Sequence, residues 1–207
     1  MLPSPSKWSN AAVPRKAARP TRGARPGCLT LVTGCMFSGK TTELIRRIDQ
    51  APASTVRAFK HLADDRYHAS KIVSHAGKSI PAIGIENPGE LLRYALARTT
   101  LVAIDEGHFF DVRLIDAIGR LVNRGVDVVV AALQPDSWGR PFPLVTRLTE
   151  LAGESMTLTA TCARCSAAAD RTQRLTPIEN GKMVVDPANY EPRCVQCWRP
   201  PPESSGT

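Results

Sequence analysis

Gly34-Cys35-Met36-Phe37-Ser38-Gly39-Lys40-Thr41 fits the pattern G-x-x-x-x-G-K-[S/T]. The pattern names a ligand class before any fold is assumed. Glycines let a chain wrap a polyphosphate, and backbone N–H groups at a helix N-terminus then point at the anion. Lys40 is placed to reach the β- and γ-phosphates of a nucleoside triphosphate, and the Thr41 hydroxyl to sit on Mg²⁺. Gly34, Met36, Phe37, Ser38, Gly39, Lys40, Thr41 and Thr42 are therefore the candidate ATP-phosphate-binding residues.

The flanks supply the context this mechanism needs. Residues 28–33, Cys-Leu-Thr-Leu-Val-Thr, are short, apolar and β-branched. After the loop, Leu44, Ile45 and Ile48 share one helical face. Strand, glycine loop and helix follow one another. Further along, residues 54–60 read as a second strand, and 60–67 are too polar for a core. Residues 72–73 and 79–85 read as short strands about a turn at Gly77. Asn87-Pro88-Gly89-Glu90 opens a helix to about Arg98, with Asn87 as N-cap and Pro88 at the first helical position. Residues 100–104 form an apolar strand. Residues 111–124 form a helix with Leu114, Ile115, Ile118, Leu121 and Val122 on one face, ended by Gly125. Residues 126–132 form the next strand. Strands alternating with helices imply an α/β fold, a parallel sheet covered by helices on both faces. Past about Met156 the helical period vanishes, so a boundary is expected near 150. The expected order is a disordered basic tail (1–27), an α/β nucleotide-binding domain (28–150), a small β-rich metal lobe (151–200) and a short disordered tail (201–207).

The strand Leu101-Val102-Ala103-Ile104 ends in Asp105-Glu106. An acid at such a strand end commonly holds Mg²⁺ in phosphate-loop proteins. Asp105 takes that role, which leaves Glu106 to orient a water in an ATPase or to accept a hydroxyl proton in a kinase.

Of six cysteines, four form Cys162-x-x-Cys165 and Cys194-x-x-Cys197. Four thiolates on two knuckles can close a tetrahedron around one structural Zn²⁺. Paired disulfides fit poorly with a cytosol-type nucleotide motif and no visible secretory segment. Cys28 and Cys35 read as small buried hydrophobes.

The net charge of +8 is concentrated in the first 27 residues, which carry Lys7, Arg15, Lys16, Arg19, Arg22 and Arg25 and no acid. Removing those six charges leaves +2 for the rest. The remainder is therefore nearly neutral, and the knuckles lack interleaved lysines and aromatics, which argues against a nucleic-acid surface. The Pro-, Ala- and Arg-rich tail cannot bury enough apolar surface to fold. Its acid-free composition also suits an organelle transit peptide, but five prolines disfavour the helix such a peptide needs. No run approaches the ~20 apolar residues that span a bilayer. The expected location is cytoplasmic.

Residues 34–47, Ile104-Asp105-Glu106-Gly107-His108-Phe109-Phe110, Asp64-Asp65-Arg66-Tyr67, Ser74-His75, Thr172-x-Arg174 and Tyr190 together resemble the type II (cytosolic-type, zinc-containing) thymidine kinases. The likeness runs from about residue 28 to 198, in the family's order. It implies transfer of the ATP γ-phosphoryl group to the 5′-hydroxyl of thymidine in nucleotide salvage. It implies Glu106 as general base and Arg66 as a phosphate ligand near the reacting hydroxyl. Met36, Phe109, Leu133, Thr172 and Tyr190 would bind the nucleoside under a closing loop anchored by the zinc knuckles. A homotetramer and feedback inhibition by dTTP are implied as well. A pyrimidine methyl discriminates by only ~1–3 kcal/mol, so deoxyuridine is expected as a weaker substrate. The chain departs from the pattern at Cys35 (usually Pro), His108 (Gln), Gln134 (an acid), Ser137 (an aromatic), Arg171 (an aromatic) and 185–187 (a Gly-rich turn). These bear on base selectivity, loop geometry and feedback rather than on phosphoryl transfer. The alternatives left open are a phosphate-loop ATPase with a nucleic-acid-gripping zinc unit and a non-catalytic relative.

Overall fold

Leu29–Gly34 extends because Leu29, Leu31 and Val32 have apolar partners on both sides of it, and every residue of this strand, β1, is buried. The computed structural model describes residues 25–64, 70–75, 77–176 and 186–201. Residues 1–24 and 202–207 of the expected tails lie outside the described residues, as do Arg66 and 177–185 of the expected closing loop. The last residues of the expected N-terminal tail are held: Gly27 N–H donates to Val122 O at 2.9 Å.

Beyond the glycine loop comes α1 (Lys40–Asp49), then β2 (Val56–His61), β3 (Lys71–Val73), β4 (Ser79–Pro81) and β5 (Ile83–Ile85). Next are α2 (Glu90–Tyr94), β6 (Leu101–Asp105), α3 (Arg113–Asn123), β7 (Asp127–Leu133), α4 (Pro143–Leu151) and β8 (Glu154–Leu158). Six strands form one parallel sheet in the order β5-β2-β6-β7-β1-β8. Alternate residues of each central strand feed two cores, as a sheet covered on both faces requires. On one face Leu44 and Ile45 of α1 meet Val32, Ala58, Ala103 and Val129. On the other, Leu91, Leu114, Ile118, Leu121, Val145 and Leu148 of α2–α4 meet Leu31, Phe59, Ile104 and Val130.

Four sequence expectations need correction. The helix at 90 stops at Tyr94, because beyond it Leu96 is half exposed and offers no face to bury. Asn87 is not its N-cap; its Oδ1 accepts from Gly89 N–H at 2.9 Å, an Asx turn ahead of the helix. Lys60, where the expected strand 54–60 meets the expected polar stretch 60–67, belongs to the buried part: its side chain is 1% exposed and sits 3.0 Å from Asp64 Oδ2, also buried. Finally, the sheet runs past the expected boundary at 150, since β8 pairs in parallel with β1 from Glu154 to Leu158.

A lobe of short strands follows: β9 (Ala160–Thr161), β10 (Ala168–Ala169), β11 (Arg171–Arg174) and β12 (Tyr190–Arg193). β9 pairs with β10 and β11 with β12, both antiparallel. Among the described residues, no helix is long and apolar enough to cross a membrane.

Candidate active site

The loop between β1 and α1 depends on two glycines. Gly39 has φ 88, and a side chain at Gly34 (φ 146) would place its first carbon 2.3 Å from Leu158 O. Phe37 also adopts a left-handed conformation, φ 66. Lys40 Nζ turns back over the loop and donates to Cys35 O at 2.7 Å. Ser38 Oγ is buried with no hydrogen-bond partner among the described residues. A loop with an orphan hydroxyl, an inward lysine and a helix start fits a polyanion. Cys35 is fully buried and donates to Ala169 O at 3.3 Å, tying this loop to the β10 strand. Burial pushes its thiol pKa up, so it stays protonated.

At the tip of β6, Thr41 Oγ1 donates to Asp105 Oδ2 at 3.2 Å. A hydroxyl and a carboxylate meeting there are a hard oxygen pair suited to Mg²⁺. The next residue, Glu106, has φ 52 and ψ 42. A non-glycine residue held there is strained, and such strain concentrates at functional positions. The conformation aims the Glu106 side chain, 13% exposed, into the cavity beside Asp105. His108 is buried, and its Nδ1 accepts from Leu133 N–H at 3.2 Å, locking the tip of β6 to the tip of β7. As an acceptor there, Nδ1 carries no proton, and it lies 3.5 Å from Glu106 Oε2.

One cavity of about 250 Å³ runs along the carboxyl ends of the strands, where open parallel sheets bind ligands. Met36, Phe37, Gly39, Lys40, Thr41 and Thr42 line it, together with Asp105 and Glu106. Phe109, Leu133, Thr172 and Tyr190 line the same cavity. Thr172 is buried, and its Oγ1 accepts from Met36 N–H at 3.0 Å, joining β11 to the glycine loop. Burial raises the Tyr190 pKa, keeping the phenol protonated.

Comparison with known proteins bears on this arrangement. The family model described as thymidine kinase matches residues 27–198. The thymidine kinase of Rhodothermus sp. (strain ITI 518) is 38% identical over 186 residues, covering 88% of this chain and 86% of the relative. The chain belongs to the thymidine kinase family.

Within that family pattern, the four knuckle cysteines converge. The sulfurs of Cys162, Cys165, Cys194 and Cys197 all lie within 4.8 Å of one another, and Cys165 Sγ is 3.6 Å from Cys194 Sγ. Tetrahedral Zn²⁺ with ~2.3 Å bonds holds its sulfurs about 3.8 Å apart, so the donor set fits that ion. Each knuckle is closed by backbone bonds, Ser166 N–H to Cys162 O and Cys197 N–H to Cys194 O, both 3.0 Å.

Of the thymidine kinase site residues expected from sequence, Gly34 and Ser38 shape the loop from outside the cavity surface, and Arg66 lies outside the described residues. The remaining expected nucleotide and nucleoside residues line the one cavity. The cavity also takes in Asp64, Val73, His75, His108, Asp136, Ser137, Trp138 and Pro187. Asp64 and His75 stood in stretches that carried the family likeness, and that signal could have placed them. Trp138 had no such signal, because its place depends on how the turn after β7 folds.

Proposed function

We propose that this chain is an ATP-dependent thymidine kinase that transfers the γ-phosphoryl group of ATP to the 5′-hydroxyl of thymidine, giving dTMP and ADP. Deoxyuridine is the weaker alternative substrate. The observation that carries this reading is that one cavity is lined by Lys40 and Thr41, by Asp105 and Glu106, and by Phe109, Leu133 and Tyr190.

In this reading residues 34–42 form a phosphate loop, and its backbone N–H groups with Lys40 hold the β- and γ-phosphates. Mg²⁺ bound by Thr41 and Asp105 would neutralise charge on those phosphates. Glu106 accepts the 5′-hydroxyl proton as that oxygen bonds to the γ-phosphorus and the bond to the ADP oxygen breaks. Arg66 steadies the phosphate near the reacting hydroxyl. Met36, Phe109, Leu133, Thr172 and Tyr190 orient the nucleoside so that the hydroxyl faces the phosphorus. The cysteine lobe, built around Zn²⁺, anchors the segment that closes over the nucleoside. A cytoplasmic homotetramer inhibited by dTTP completes the proposal.

The test is a panel of the four deoxynucleosides and deoxyuridine with labelled ATP, run beside Glu106→Gln. Thymidine is expected to be the best substrate, with turnover in the variant lower by ~10²–10⁴. Thymidine turnover undiminished by Glu106→Gln would remove the base assignment, and ATP hydrolysis without nucleoside phosphorylation would remove the kinase.

A further inference from the structure

Building on the thymidine kinase reading, we infer that Trp138 is the aromatic wall on which the nucleoside base stacks, braced from behind by Trp198 of the second cysteine knuckle. At Ser137, where the family pattern has an aromatic, this chain has a small buried hydroxyl. The aromatic comes one residue later, and it lines the cavity. Trp138 shares that wall with Leu133, from the tip of β7, and Phe109, which follows the tip of the adjacent β6. The turn leaves β7 where Leu133 pairs with Gly34 and Gln134 N–H donates to Gly34 O, so it is the lining shared with Leu133 and Phe109 that assigns Trp138 to the nucleoside half.

The turn that carries Trp138 is closed by its own hydrogen bonds. Asp136 Oδ1 accepts from Trp138 N–H at 2.9 Å and from Arg140 N–H at 2.7 Å. Asp136 N–H donates to Arg140 O at 2.9 Å, and Gly139 N–H donates to Asp136 O at 3.1 Å. The Arg140 guanidinium carbon lies 6.0 Å from the centre of the Trp138 ring. Gly139 has φ 77, and a methyl group there would come within 3.1 Å of Trp198 Cη2, so the Trp198 indole lies directly against the turn. Trp198 follows Cys197 and donates its backbone N–H to Cys194 O at 2.9 Å. Its indole Nε1 is buried with no hydrogen-bond partner among the described residues, so packing sets its position.

A half-buried indole fixed in this way presents a flat apolar surface to the cavity. A planar heterocycle gains by stacking on it, whereas a bare sugar does not. Such a contact is made equally in the bound and reacting states, so it acts on KM and leaves kcat alone. The turn's preorganisation means the contact costs little ordering entropy.

The experiment measures Trp138→Ala, Trp138→Phe and Gly139→Ala, with thymidine and ATP varied separately, and follows tryptophan fluorescence as thymidine is added. Trp138→Ala is expected to raise thymidine KM roughly tenfold to a hundredfold, with kcat and ATP KM within about threefold of wild type. Trp138→Phe restores most of the affinity but abolishes the thymidine-dependent fluorescence change. Gly139→Ala, pressing on Trp198, raises thymidine KM several-fold with every cavity side chain intact. A wild-type thymidine KM in Trp138→Ala overturns the inference. So does an equal rise in thymidine and ATP KM, or a fluorescence change that survives in Trp138→Phe. A chain that phosphorylates no nucleoside, yet shows the Trp138-dependent change, would uphold the stacking wall and sink only the activity.

Discussion

Thr41 Oγ1 donates to Asp105 Oδ2 across 3.2 Å, joining the first turn of α1 to the tip of β6. The two elements are not neighbours in the chain, and each is positioned by its own core contacts. Asp105→Asn keeps the shape and an oxygen to accept from Thr41 but removes the charge a divalent cation needs. Turnover at saturating Mg²⁺ is expected to fall ~10²–10³-fold, with the melting temperature little changed. Thr41→Ser, which keeps the hydroxyl, is expected to retain most activity. Steady-state kinetics across a Mg²⁺ titration check both, and wild-type turnover in Asp105→Asn would dissociate this pair from the metal.

Glu106 holds a left-handed backbone at φ 52. An L side chain there costs ~1–2 kcal/mol, which glycine avoids, although glycine also loosens the unfolded chain. Glu106→Gly is expected to raise unfolding stability by about 0.5–1 kcal/mol while turnover falls ~10²–10⁴-fold. Urea unfolding together with kinetics reads both quantities on one variant. A destabilised Glu106→Gly would mean that the backbone at this position stores no strain.

On α1, Glu43 accepts from Arg46 at 2.6 Å and from Arg47 at 2.8 Å, and Arg47 reaches on to Glu154 of β8 at 2.7 Å. The Arg46 hydrogen bond, with help from Arg47, lowers the Glu43 pKa from 4.5 to about 2. A carboxylate whose pKa folding depresses stabilises the fold most when charged in both states. Its contribution is complete above pH 4.5 and drains away as pH falls toward 2. Glu43→Gln should therefore be less stable than wild type near neutral pH, with the gap closing across that interval. Parallel denaturant titrations at several pH values measure it. A gap independent of pH would assign the loss to shape rather than charge.

The sheet's central strands were legible because both their faces are buried. Residues 100–104 and 126–132 read as apolar runs, the second interrupted by Asp127, and β6 and β7 lie within a residue of them. β8 was missed because it is an edge strand with mostly exposed residues, Glu-Ser-Met-Thr-Leu, carrying no apolar run. Helix α4 was missed although Leu144, Val145 and Leu148 have helical spacing and Pro143 opens it. It follows directly on a Gly- and Pro-containing turn that dominates the local signal. The residues expected to hold phosphate could be named from the glycine pattern alone, since the chemistry expected of them is set by local backbone. Trp138 and Lys60 could not. One depends on the path of a turn and the other on a buried acid four residues on, and neither is fixed by local spacing.

The cysteine lobe has little apolar core of its own, with Cys162, Ala169 and Cys194 as the buried residues of its cluster. A unit that small needs the binding energy of a metal to stay folded. The purified chain is expected to carry one zinc equivalent by elemental analysis, and Cys194→Ser to lose it. Hydrogen exchange in the metal-free protein should speed up across β9–β12 while β1 and β7, buried in the main sheet, keep their protection. Under the proposed reading, in which Thr172, Tyr190 and the turn packed against Trp198 serve the nucleoside, thymidine KM should rise more than ATP KM. Full exchange protection of β9–β12 in a zinc-free chain would show that the four sulfurs cluster without a structural metal.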